Sequence, residues 1–163
     1  MLHSTEFNFV ALPGALVQGF RSGQADANGQ SPQRLISDGN GNPCRHCLTN
    51  IPANAELLLL AHRPFPVVHA YTELGPVFVC AEDCERHHES DVLPPMFAQT
   101  KAVIARGYDE SHRIVGGTGQ MVDMEKLEAT MTDILQQPAV RYLHLRSISN
   151  NCYFCRVEYR EAA

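Results

Sequence analysis

Apolar residues along this chain recur mostly with a period of two or in short unbroken runs, and only once with the period of a helix. Residues 5–12 (Thr-Glu-Phe-Asn-Phe-Val-Ala-Leu) alternate and predict a first strand. Residues 14–21 suit a short helix. Ala55–His62 is a continuous apolar run between Pro52 and Pro64, the pattern of a buried strand. Pro76–Ala81 predicts another, with Val77, Val79 and Ala81 on one face and Phe78 and Cys80 on the other. Lys101–Arg106 and Arg113–Val115 read as shorter strands joined through Gly107-Tyr108-Asp109. Ala139–Ile148 and Cys152–Tyr159, separated by Ser149-Asn150-Asn151, predict a β-hairpin.

The helical period appears over residues 124–136, where Met124, Leu127, Met131 and Ile134 make one stripe. Asp123 is placed to cap this helix and Pro138 to stop it. Between Gly23 and Pro43 the pattern dissolves into Gly, Asn, Gln and Ser, which predicts a surface loop with one helical turn around Arg34-Leu35-Ile36. The fold class expected is α+β: a mainly antiparallel sheet with one long helix from the C-terminal half packed on it, in a single domain spanning 1–163.

Composition narrows the function. With 44% hydrophobic and 19% charged residues, the chain is of ordinary globular character. A formal charge of −5 with no run of Lys or Arg argues against general nucleic-acid binding. The longest apolar run, Leu57–Ala61, is too short to cross a bilayer, so no membrane partner is expected. Glu6 ahead of the first apolar stretch and Pro13-Gly14 within it do not match a signal peptide, which makes the cytoplasm the expected compartment. In a reducing compartment, six cysteines point to thiols or metal ligands rather than disulfides.

Four of these cysteines have ligand spacing. Cys44-Arg45-His46-Cys47 follows Gly41-Asn42-Pro43, a composition suited to a tight turn, and Cys80 and Cys84 form a second pair. If the chain turns helical after Ala81, Cys80 and Cys84 share one helix face. Structural zinc takes four N or S ligands in a tetrahedron, so Cys44, Cys47, Cys80 and Cys84 are the expected Zn²⁺ ligands. Arg45, His46 and Arg86 are placed to offset the negative charge of such a centre. His87 or His88 in place of Cys80 is an alternative, as are unmetallated buried thiols and a redox role for Cys44 and Cys47. Cys152 and Cys155 have the same spacing, but on a strand they point to opposite faces. Cys155 is expected on the core face with Tyr153, Val157 and Tyr159.

On the predicted hairpin Tyr142, His144 and Arg146 share one face. They read either as a solvated surface or, with Arg106, as a ligand-binding pocket for an anion. No motif of the nucleophile-elbow, dinucleotide-binding, P-loop or zinc-protease type is present, and no catalytic residue is assigned.

Asn42–Leu48, Gly75–Cys84, Arg141–Arg146 and Cys152–Arg156 together resemble the uncharacterised bacterial proteins grouped as domain of unknown function 1203. The resemblance runs from about Phe7 onward and implies one domain without implying an activity. Two functions are therefore expected from the residues themselves. One is a small binding or interaction module built around a structural zinc. The other is an enzyme or small-molecule binder using His144, Arg146 and Arg106.

Overall fold

The computed structural model describes residues 7–160. Among these residues, eight strands form two antiparallel sheets. The larger is built from β1 (Phe7–Val10), β8 (Tyr153–Tyr159), β7 (Tyr142–Ser147), β5 (Ala102–Tyr108) and β6 (Gln120–Asp123), in that order. The smaller contains β2 (Gln33–Ile36), β3 (Glu56–His62) and β4 (Gly75–Cys80). Two short helices accompany them, α1 (Gly14–Arg21) and α2 (Leu127–Leu135).

This corrects the expected architecture of one sheet with one long helix. The helical segment opens as a 3₁₀ turn over Met124–Lys126, and α2 itself has nine residues. Asp123 ends β6 and its side chain makes no capping bond. Instead, Met124 N–H donates to the Lys101 carbonyl at 2.9 Å, so pairing with β5 sets where the helix begins. The expected stripe is nonetheless the buried one: Leu127, Met131 and Ile134 are buried and Met124 packs at the margin.

Other departures share a cause, the absence of a one-sided core. The helical turn expected at Arg34–Ile36 is the edge strand β2, which pairs Leu35 with Leu57 and leaves Leu35 and Ile36 exposed. A strand with no buried face carries no alternation to read. β6 escaped notice for the same reason, since only Val122 of its four residues is buried. Arg113–Val115 forms no strand, only an isolated bridge between Tyr108 and Ile114. The first strand is shorter than expected, and Thr5 and Glu6 lie outside the described residues.

Gly107 is not a turn but a residue of β5, at the place where α2 and the segment after it press on the sheet. A Cβ there would meet Ile134 Cγ2 at 3.0 Å and Val140 Cγ2 at 3.2 Å. Gly107→Ala should therefore destabilise the fold by about 1–3 kcal/mol through overpacking. Denaturant titration measures this, and an unchanged midpoint would contradict the close approach.

The larger sheet has two unlike faces. Val103, Ala105, Leu143, Leu145, Cys155 and Val157 pack with α2 and with Phe7 and Phe9 in one core. A β-bulge in the β7–β8 pairing (Leu145 opposite Cys155, Arg146 opposite Tyr153) leaves Phe154 as the extra residue. The bulge sends Tyr153 to the opposite face from Cys155, against the strict alternation expected. There Tyr153 joins the second core with α1 and the inner face of the smaller sheet.

Candidate metal centre

Residues 42–51 form a knuckle held by its own backbone. Leu48 N–H donates to the Cys44 carbonyl, Cys44 N–H to the Thr49 carbonyl and Ile51 N–H to the Asn42 carbonyl, each at 2.9 Å. Leu48 takes a left-handed φ of 54°, unusual for a branched residue, and complete burial in the main core holds it there. Arg45 N–H donates to the Phe78 carbonyl at 3.0 Å, which lays the knuckle alongside β4. Cys80 is the last residue of β4. The chain then bends without becoming helical, correcting the expectation for that segment, and brings Cys84 back over the knuckle.

The Sγ atoms of Cys44, Cys47, Cys80 and Cys84 all lie within 4.8 Å of one another. Cys44 and Cys84 are 4.0 Å apart, as are Cys47 and Cys80. Four sulfurs bonded to one zinc at 2.3 Å would be separated by roughly 3.8 Å. The donor set and its spacing thus fit a tetrahedral metal with little adjustment. Backbone N–H groups of Cys80 and His46 point at Cys44 Sγ, at 3.2 and 3.4 Å, as donors to a thiolate do.

Electrostatics favour a cation among the sulfurs. Contacts with Cys44 and Cys80 draw the Cys47 thiol far below its ordinary value. Burial, together with the charges of Cys44 and Cys47, pushes Cys84 up to about 12. One thiolate thus forms at the expense of its neighbours, and only a bound cation lets all four ionise together.

The positive groups around the cluster differ in part from those expected. Arg21, at the end of α1, donates to Cys84 Sγ at 3.2 Å and to the Cys80 carbonyl at 3.0 Å. Nothing local in the sequence marked it, because it lies 63 residues from Cys84. His46 Nδ1 is 3.0 Å from Cys84 Sγ. Arg86 instead donates to the carbonyls of Ala11 and Leu12 and touches no sulfur of the cluster. Arg45 is buried, donating to the carbonyls of Tyr153 and Pro43 and lying near the rings of Phe78 and Phe154. His87 and His88 stand outside the four-sulfur group, His88 facing Glu85 at the surface. Cys155 is enclosed in the main core and Cys152 lies in the hairpin turn, its Sγ 3.8 Å from the Asn150 carbonyl.

The second set of expected site residues is not on a solvated face. Tyr142, His144 and Arg146 are 1%, 0% and 4% exposed. The sheet register sets Arg106 and Arg156 on either side of His144. The imidazole is enclosed by the rings of Phe65, Tyr108, Tyr142 and Tyr153, with centroids 4.7 to 5.3 Å away. Burial, reinforced by Arg146, Arg156 and Arg106, holds His144 well below its usual value, so it is neutral.

His62 is held down to about 4, by burial first and then by Arg45. An unfolded chain takes up this proton near the ordinary 6.5. The contribution is present above that value and is lost as the pH falls toward 4. His62→Phe should lose less stability than wild type over this window. Urea midpoints followed with pH test this, and parallel curves for the two proteins would refute it.

No helix among the described residues is long and apolar enough to cross a membrane. No curated protein and no solved structure matches the chain. A family model does match, over residues 41–159, a span that begins at the knuckle, ends with β8 and includes all four clustered cysteines. The chain belongs to the family described as Protein of unknown function (DUF1203).

Proposed function

We propose that the protein is a small binding module whose knuckle is fixed by one structural Zn²⁺ held by Cys44, Cys47, Cys80 and Cys84. The observation that carries this reading is the convergence of the four sulfurs to within 4.8 Å from two distant segments. Four thiolates on Zn²⁺ leave no open coordination position, so the metal holds structure and performs no chemistry. Their net charge of about −2 is offset by Arg21 at Cys84, and it supplies the counter-charge for Arg45, which has only carbonyl hydrogen bonds.

The binding part of the reading rests on a cleft of about 750 Å³ lined by α1, β8 and the segment after β3. This lies within the usual range for small-molecule sites. Its walls include Leu16 and Phe20 of α1, Arg86 beyond Cys84, and Tyr153 and Arg156 of β8. Arg21 ties α1 to Cys84, so the metal would steady two of these walls at once.

Metal analysis of the purified, untagged protein tests the proposal. About one zinc per chain is expected, falling to near zero in Cys47→Ser. Replacement by cobalt should produce the absorption of a tetrahedral thiolate site. Metal-free protein, well folded and at full yield, would overturn it.

A further inference from the structure

We propose that Arg146 and Arg106 form a binding site for the carboxylate of a small organic acid, in which Glu73 sits as the protein's own stand-in. This site is separate from the zinc centre and does not depend on it. Arg146 enters from β7 with its side chain only 5% exposed. Its Nη1 donates to the Asn151 carbonyl at 3.1 Å. Its Nε and Nη2 are buried and make no hydrogen bond. These two nitrogens form one edge of the guanidinium, the planar fork that receives a carboxylate through two parallel bonds. Leaving such an edge buried and unpaired is costly, so a ligand that fills it is strongly favoured.

The nearest anion is Glu73, on the segment between β3 and β4. One of its oxygens accepts from Arg106 Nη2 and lies 3.3 Å from Arg146 Nη2, without the alignment of a hydrogen bond. A single carboxylate therefore already bridges the two guanidinium groups, and does so imperfectly. The charge count points the same way. Arg156 has Glu158 at 2.9 Å, whereas Arg106 and Arg146 share Glu73 alone among the described residues, leaving one positive charge over.

Glu73 is also free to leave, with its side chain 46% exposed and held only by these two contacts. Beside it lies a cavity of about 200 Å³, lined by His62, Glu73, Arg146, Asn151, Cys152 and Tyr153. That is room for an acid of a few heavy atoms. His144 is walled off by aromatic rings, and its part is to stand neutral beneath the arginines, so that it adds no further positive charge.

In this arrangement the Glu73 carboxylate competes with the ligand at a high effective concentration. Glu73→Gln, which keeps the shape and removes the charge, should tighten binding by about tenfold or more. The experiment follows the backbone amide resonances of Asn151, Cys152 and Tyr153, which line the cavity, by NMR while sodium acetate, sodium pyruvate or inorganic phosphate is added at constant ionic strength. Saturable shifts with acetate or pyruvate are expected, weak in the wild type and stronger in Glu73→Gln. Adding Arg146→Lys should abolish them, because a point charge cannot replace the fork. Amide spectra and metal content are read for every variant to establish that each is folded. Folded Glu73→Gln protein that shows no saturable shift with either acid would overturn the site. Unaltered binding in the Arg146→Lys variant would also overturn it. Phosphate binding more tightly than both acids would overturn the carboxylate assignment.

Discussion

Cys44→Ser should release the zinc proposed above and lower the melting temperature by roughly 10–20 °C. Cys44 is fully buried, receives two backbone N–H groups on its sulfur and forms the floor of the cluster. Loss of a metal is among the few single changes that exceed about 4–5 kcal/mol. Each kcal/mol corresponds to about 2–4 °C in a chain of this size. Calorimetry of the variant and the wild type, each with and without added zinc, measures the effect. Cys155→Ala supplies the control, since Cys155 is equally buried but lies in the main core away from the cluster. It should cost about 1–3 kcal/mol, as a small cavity does, with metal content unchanged. Equal losses in the two variants, with no difference in metal, would show that the four thiols are only packed together.

The second large effect belongs to Arg45. Arg45→Met keeps the length and apolar character of the stem but removes the guanidinium. The variant strands the carbonyls of Tyr153 and Pro43, which accept from Arg45 at 2.9 and 2.6 Å. It also removes a cation from near the rings of Phe78 and Phe154. At about 1–3 kcal/mol for each of the two buried carbonyls left unpaired, the loss should come to roughly 2–6 kcal/mol. Because Tyr153 belongs to β8 and Pro43 to the knuckle, Arg45 joins the larger sheet to the cysteine cluster. The proposed zinc should consequently leave Arg45→Met faster than wild type when a chelating dye competes for it. Unchanged stability together with unchanged zinc release would remove Arg45 from that role.

The legible parts of this chain are those whose surroundings are local. Strands with one buried face, such as β3 and β4, show their alternation or apolar run directly, and Val77 and Val79, read as sharing one face, share the buried one. The short helix at 14–21 is α1, and the hairpin of β7 and β8 follows its turn residues. The Cys44-x-x-Cys47 knuckle is likewise local, since a tight turn suffices to bring two sulfurs together. Edge strands β2 and β6 were hidden because their neighbours, not their own side chains, define them. The 124–136 stripe identified the right buried residues but overstated the helix, because its first turn is claimed by pairing at Lys101.

Residue identity and spacing alone were enough to say which residues have the chemistry of ligands, which face of each one-sided strand is apolar, and that the thiols have ligand spacing. That Arg21 reaches Cys84, that a bulge turns Tyr153 away from Cys155, and that Glu73 lies between Arg106 and Arg146 emerges from the folded arrangement and not before. The reason is one of range. Spacing and periodicity report on neighbours within a turn or two of chain. A charge 63 residues away, or a register shift between two strands, leaves no trace in the order of residues around it.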